Sequence, residues 1–405
     1  MSFRRPRTLA AATVLATACV LLTAAPPAPA SPWPAGPQGI RSQLAAAVNA
    51  QRRKLGIPGV IVMAQDPRLG LWTGTFGTAN RSTGQPMRAA DHFRIASITK
   101  TFVATVVLQL VAGHRLSLND RLATWVPGIP NASQITIREL LNHTSGIRDY
   151  EDNPVLLRAI AHQPRRVWRP EQLVRLALYK PPLFPPGTGW SYSNTNYLLL
   201  GIIVSKVTGH SLGYEISRRV LGPLHLLQTS FPLASPDLPR PFSHGYAPAG
   251  ITGPPVSPLV DYTRWSPSWD YAAGNMISTA SDLLRWGTAL GKGTLLSPAM
   301  RAAQRTWVKI APGAPAWYGL GLARVRLDGE YLLGHDGADP GYSADLDYAP
   351  RLGLTLVVLA NRCCGADYSE PILNTAATTI INWERARPLP VGSTANSGRR
   401  SGRPR

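Results

Sequence analysis

The sequence predicts a mixed α/β chain of the α+β kind. One antiparallel sheet is built from both ends of the chain, flanked by terminal helices and interrupted by a large all-helical insertion. Three observations carry this. Runs rich in Val, Ile, Thr and aromatic residues occur at about 59–79 and return only at 318–360. Between about 90 and 310 the apolar spacing is mostly helical, with long Pro-rich loops, and an amphipathic helical pattern stands just outside the strand-like runs at each end.

The first thirty residues stand apart from this. MSFRRPRT is basic, Leu9 to Ala25 is apolar, and Ala28-Pro29-Ala30 offers small residues where a signal peptidase cuts. Residues 1–30 therefore read as a signal peptide, and the mature chain is expected to start near Ser31 and be secreted to the extracellular side. Arg4-Arg5 points toward the twin-arginine route, and Cys19 makes a faint lipoprotein-like box. No other segment is apolar for long enough to span a bilayer. Arg41 to Lys54 then reads as a helix, and Gly59 to Asp66 and Leu71 to Ala79 as a hairpin turning at Pro67-Arg68-Leu69-Gly70. Near the other end, Tyr318 to Leu327, Glu330 to His335, Ser343 to Tyr348 and Leu354 to Ala360 read as strands, followed by a helix from Pro371 to Arg385. A sheet subdomain of residues 31–90 and 312–385, a helical subdomain of 91–311 and a disordered basic tail of 386–405 follow.

The net charge of +20 invites a nucleic-acid reading, so its location matters. Arg4, Arg5 and Arg7 belong to the leader, and Arg385, Arg387, Arg399, Arg400, Arg403 and Arg405 to the tail. The remaining excess is scattered, with no basic run interleaved with aromatics, which argues against nucleic acid and leaves anionic cell-wall polymers as the association that charge suggests. A monomer is expected. After leader removal only Cys363 and Cys364 remain, either as a vicinal ring or as buried thiols. No His-Glu-x-x-His or Cys-x-x-Cys spacing appears, so neither a metal nor another cofactor is expected.

Chemistry concentrates in three places. In FRIASITKTF, Ser97 and Lys100 are one helical turn apart and share a face, at the start of a helix apolar nearly all round from Phe102 to Val111. Such a lysine sits at the mouth of a core, where lost solvation disfavours its charge and lets the amine act as a base toward the serine. In WSYSNTNY, Tyr192 and Asn194 follow a Pro186-Gly187-Thr188-Gly189 turn and project from a bend. In GHDGADPGY, His335 ends a strand beside glycines that let a ligand approach the backbone. Thr136 to Glu139 forms a capping box leading into His143-Thr-Ser-Gly146, read as a structured turn in which His143 has mainly a scaffold role.

A Ser-x-x-Lys, a Tyr-x-Asn and a basic residue followed two positions later by glycine, in this order, resemble the serine β-lactamase and penicillin-binding superfamily. The likeness is strongest to class C β-lactamases and to secreted D-alanyl-D-alanine carboxypeptidases and esterases, and covers about residues 41–385. It implies the β-lactamase/transpeptidase-like fold and an acyl-serine mechanism. Ser97 would be the nucleophile, Lys100 its base, and Tyr192 the shuttle to the leaving group, its pKa lowered by the neighbouring cation. Which of Lys100 and Tyr192 is the base stays open. Asn194 would bond the substrate amide and the lysine, and His335 would replace the third-motif lysine. Backbone N–H groups of Ser97 and Ala338 would form the oxyanion hole beside Gly337, and Trp269 would line the cleft or pack in the core.

The implied activity is a D-alanyl-D-alanine carboxypeptidase on peptidoglycan-type peptides. An esterase or amidase, a class C-like β-lactamase, and a silent penicillin-sensing or wall-binding module are the alternatives; substrates are thus small peptides, esters or β-lactams. One departure matters most. Carboxypeptidases of this group usually place threonine after the histidine to hold the substrate carboxylate, and here Asp336 and Ala338 replace the helpful hydroxyls. An Asp336 carboxylate facing the leaving-group pocket would repel a terminal carboxylate and shift weight toward ester, amide or aminopeptidase-like substrates.

Overall fold

The computed structural model describes residues 37–249, 258–364 and 366–386; the expected leader and nearly all of the expected tail lie outside them. The fold is the α+β arrangement read from the sequence. Its centre is the strand β1 (Gly59–Asp66), which pairs on one side with β2 (Gly70–Asn80) and on the other with β9 (Leu354–Ala360), so the two ends of the chain meet in mid-sheet. Adding β3 (Gln85–Pro86), β4 (Val308–Lys309), β5 (Ala316–Tyr318), β6 (Ala323–Leu327), β7 (Glu330–Asp339) and β8 (Tyr342–Ala349) gives a nine-stranded order β3-β2-β1-β9-β8-β7-β6-β5-β4. Every pairing in it is antiparallel.

The register explains why GVIVMAQD is apolar without alternation: both faces of β1 are covered. Val60, Val62 and Ala64, with Leu356, Val358 and Ala360 of β9, pack under the terminal helices α1 (Pro37–Lys54) and α5 (Ser369–Arg385). Ile40, Leu44 and Val48, spaced one turn apart, are the stripe that α1 buries there. Ile61 and Met63, with Val357 and Leu359, join the larger core on the opposite face. That core contains the helices α2 (Thr99–Ala112), α3 (Asn194–Thr208) and α4 (Ala280–Lys292). Helix α4 lies close on the sheet because Gly287 has no side chain: a Cβ there would stand 2.4 Å from Leu346 Cδ1. Trp286 of α4 then stacks on Phe102 of α2 at 4.2 Å and donates its indole N–H to Thr101 Oγ1 at 2.8 Å.

Two local expectations change and one open alternative is decided. The single strand expected over Tyr318–Leu327 is two, split by a turn in which Gly321 takes φ +70° and a Cβ would meet the Ala104 methyl at 2.2 Å. Strand β7 runs four residues past His335, because Asp339 still pairs with Tyr342 across a Pro340-Gly341 turn. Of the two alternatives for Cys363 and Cys364, the structure shows the vicinal disulfide. Among the described residues no helix is long and apolar enough to cross a membrane.

Candidate active site

The nucleophile motif folds as two pieces rather than one helix. Arg94 ends a two-residue strand paired with Ile277–Ser278, Ala96 takes a left-handed φ of 47°, and Ala96–Ile98 makes a 3-10 turn that passes into α2 at Thr99. A non-glycine residue held at positive φ costs of order 1 to 3 kcal/mol and persists only where its surroundings enforce it. Its effect is to leave Ser97 half-buried at the surface end of α2 while Lys100, one turn on, is wholly buried. Lys100 Nζ lies 2.8 Å from Ser97 Oγ and donates to the Ala273 carbonyl at 2.8 Å.

Tyr192 closes the group. Its hydroxyl hydrogen-bonds Ser97, and Lys100 Nζ stands 4.9 Å from its ring centre. Burial pushes Lys100 below the usual lysine range, against the pull of Glu151, Asp270 and Asp149. The phenol moves the other way. Burial, followed by the Asp336 charge, holds Tyr192 well above its ordinary value, contrary to the lowered phenol expected from the sequence. The reason is that the same desolvation that raises the phenol also strips Lys100 of the charge that was to lower it. An amine inclined to be neutral can take the serine proton, and a phenol that stays protonated can donate to a leaving group.

Asn194 begins α3 and does not reach the lysine as expected: its side-chain N–H₂ donates to Asp149 Oδ2 at 2.9 Å, and its backbone N–H reaches the same oxygen at 3.2 Å. His335 is buried on β7. Its Nδ1 lies 2.6 Å from the Asp336 carbonyl, which can only accept, so Nδ1 carries the proton and Nε2 accepts from Tyr318 Oη at 2.8 Å. Burial lowers its pKa, which makes the third-motif group a neutral imidazole. Beyond Gly334, β7 pairs only with β8, which leaves its other edge toward Ser97. Gly337 is what permits that approach: a Cβ there would come within 2.5 Å of the Ile95 carbonyl and 2.9 Å of Ser97 N. Ala338 follows at the half-buried end of the same edge.

Two expected residues sit elsewhere than in the cleft wall. Strand alternation sends Asp336 to the face opposite His335, beside its cross-strand partner Asp345, with 60% of its side chain exposed. It stands at the rim, 3.7 Å from His335 Nδ1. Trp269 is a core residue: 6% exposed, 5.3 Å from Trp265, with its carbonyl accepting from Tyr150 Oη at 2.8 Å. His143 is scaffold, as read. It is buried at φ 63°, stacks 4.4 Å from Tyr192, and accepts the Ser193 N–H at Nδ1. Burial holds it well below its ordinary pKa.

Four residues at the site escaped the sequence reading: Tyr318, Asp149, Glu151 and Asp270. Tyr318 sat inside an apolar run and looked like a strand residue. The acids of RDYEDN form a local cluster in an arginine-rich chain, a signal that could have found Asp149 and Glu151, but their distance from the motifs in sequence hid the connection.

A serine whose hydroxyl is shared between a buried amine and a phenol, at the edge of an antiparallel sheet and the head of a buried helix, is an arrangement suited to a serine hydrolase. The chain belongs to the beta-lactamase family, whose sequence model matches residues 44–370, and with it to the serine β-lactamase and penicillin-binding superfamily. It is 28% identical to Penicillin-binding protein 4* of Bacillus subtilis over 76% of this chain and 68% of that one. It is 27% identical to a D-aminopeptidase of Cereibacter sphaeroides over 82% of this chain, spanning 61% of that relative. Among solved structures it superposes on a D-stereospecific amidohydrolase from Streptomyces sp. with a TM-score of 0.75 and 34% identity, covering 82% of this chain and 97% of that one. A D-amino acid amidase from Ochrobactrum anthropi SV3 also gives a TM-score of 0.75, at 26% identity, over 85% and 99% of the two chains.

Proposed function

We propose that this serine hydrolase is an exported, D-selective amidase or aminopeptidase-like enzyme that acylates Ser97 with amino acids bearing a free α-ammonium group. One observation carries the choice of substrate. Glu151, in the short turn Tyr150–Asp152, has a half-buried carboxylate with no hydrogen-bond partner among the described residues, and it is the largest charge acting on Lys100. Burial and Asp149 push it up to about 8. A carboxylate placed so near the nucleophile, with no ion-pair contact among the described residues and only the partly discharged Lys100 acting on it from within the site, suits a substrate that brings a cation. The ammonium would bring the Glu151 pKa back down, and a charge-assisted bond of this kind contributes about 1.5 to 3 kcal/mol.

The carboxypeptidase reading loses first place on the same ground. It needs a group that holds a terminal carboxylate, whereas the charged group acting most strongly on Lys100 is the Glu151 carboxyl, which suits the opposite end of a peptide. The D-specific hydrolases among the relatives support this choice by similarity. In the mechanism proposed, neutral Lys100 takes the Ser97 proton as Oγ attacks the carbonyl, and the N–H groups of Ser97 and Ala338 receive the oxyanion. Tyr192 protonates the departing amine, and water repeats the sequence to release the acid. Association with anionic wall polymers is part of the proposal. A cavity of about 570 Å³ lined by Arg88, Arg240, Arg264 and His244, apart from the serine, supports it.

The test is hydrolysis of D-phenylalanine amide, L-phenylalanine amide and an N-acetylated D-alanyl-D-alanine peptide, with intact-protein mass reporting the acyl-enzyme. Turnover of the D-amide well above the other two is expected. Preference for the N-acetylated peptide would restore the carboxypeptidase.

A further inference from the structure

Behind the lysine lie two acids that the mechanism above does not use. Asp270 immediately precedes the 3-10 turn Tyr271–Ala273, whose last residue supplies the carbonyl that Lys100 bonds. Asp339 is the last residue of β7, one position beyond Ala338. The first is 3% and the second 4% exposed; among the described residues no N–H or O–H donor reaches Asp270 Oδ2 or Asp339 Oδ2, and each carboxyl acts directly on the other's proton. The backbone is cut to allow this. The Asp270 carboxyl curls over Gly274, where a Cβ would stand 2.6 Å from Oδ2.

Two carboxylates cannot touch in a dry interior while both are charged, so one proton must lie between them. Three charges face the pair: Arg94 from the strand leading to the nucleophile, Lys100 from α2, and Glu151 from its turn. Arg94 does not neutralise it by contact. Its guanidinium donates to the carbonyls of Pro236 at 2.9 Å and Trp265 at 3.1 Å and stacks on the Trp265 ring at 4.1 Å. We propose that Asp270 and Asp339 are positioning residues, clasping through one shared proton the segment whose carbonyl holds Lys100 to the strand end that carries Ala338. When the pair loses that proton to solvent, two carboxylates are left in contact, and their repulsion draws the Ala273 carbonyl away from Lys100. Burial holds Asp339 up to about 7 and Asp270 well above its ordinary range, so the pair carries two protons at low pH, one shared proton from about neutrality upward, and opens only when that last proton leaves as pH rises further. The inference rests on the acyl-serine reading of the site and not on the choice of substrate.

The experiment follows p-nitrophenyl acetate turnover from about pH 5 to 10 in the wild type, Asp270→Asn, Asp339→Asn and Asp270→Ala. In the wild type, kcat should fall on the alkaline side. Either asparagine donates an N–H to the remaining carboxylate at every pH, so both Asn variants should keep most of the neutral-pH kcat and lose that alkaline fall, with KM unchanged. The alanine should lose about tenfold or more in kcat throughout. An infrared band of a protonated carboxyl at neutral pD, present in the wild type and reduced in folded Asp270→Asn, reads the shared proton without relying on catalysis. An alkaline fall preserved in both Asn variants, an asparagine as damaging as the alanine, or a wild type lacking the band would overturn the clasp. Failure of the amidase reading shows differently, as intact ester turnover with no hydrolysis of D-phenylalanine amide.

Discussion

A group of acids gathers on each face of strands β7 and β8, and the two groups behave differently. On the cleft face Asp339 joins Asp149, Glu151 and Asp270 around Lys100. On the face under α5, Asp336 sits opposite Asp345, with Asp347 two residues along and Glu370 in the first turn of the helix. Burial raises the pKa of Asp149, Glu151, Asp270 and Asp339 on the one face and of Asp345, Asp347 and Glu370 on the other. On the cleft face Lys100 and Arg94 pull the acids back down. On the other face the neighbours are more carboxylates, which raise Asp345 well above its range and Asp347 to about 8. Acids that share a site with a buried cation can exchange protons near neutrality and serve chemistry. Acids without one are tolerated in a fold mainly as neutral groups, and their cost appears as a pH dependence of stability.

That contrast can be broken most severely at the cation. Ser97→Ala or Lys100→Met should lower ester and amide turnover by about 10³-fold or more with little change in melting temperature, measured by steady-state kinetics beside thermal unfolding. In the wild type, kcat/KM should rise with pH through the lowered Lys100 pKa, since only the neutral amine accepts the serine proton. A rise seen only in the ordinary lysine range would contradict the burial argument.

A smaller and more selective effect is expected at Glu151. Glu151→Gln should cost D-phenylalanine amide roughly 10- to 100-fold in kcat/KM, the worth of one charge-assisted bond, and leave p-nitrophenyl acetate nearly unaffected. Equal losses on both substrates would make Glu151 a general electrostatic partner of Lys100 rather than an ammonium site.

On the far face the expected change is in stability. The folded pKa of Asp347 is raised from 3.8 to about 8, so the folded state holds a proton that the unfolded chain releases. Its contribution is complete below the unfolded value, is lost as pH rises, and is gone above about 8. Asp347→Asn cannot titrate, so its melting-temperature advantage over wild type should grow between these limits and then level, by about 2 to 4 °C for each kcal/mol. A constant offset at all pH values would mean the acid is solvated. The smallest effect belongs to Asp336→Thr. With that side chain 60% exposed at the rim, the ratio of carboxypeptidase to ester turnover should change by less than about threefold, where a side chain inside the pocket would give tenfold.

The sequence by itself determined the architecture and the candidate residues that meet at Ser97. Period-two and period-3.6 apolar patterns are local consequences of which faces are covered, so the strand-forming ends, the terminal helices and the all-round apolar α2 were legible residue by residue. Ser97, Lys100 and Tyr192 were legible because their order and spacing are carried by the chain itself. What the tertiary structure alone decided was how burial apportions protons. It lowered Lys100 while raising Tyr192. It turned Asn194 to Asp149 rather than to the lysine, and carried Trp269 into the core. It also sent Asp336 and Asp339 to opposite faces of one strand. The physical reason is range. A pattern in sequence records the preferences of neighbours a few residues apart, whereas desolvation and charge depend on everything within several ångströms. At this site those neighbours come from residues 94, 151, 192, 270 and 339, which only folding brings together.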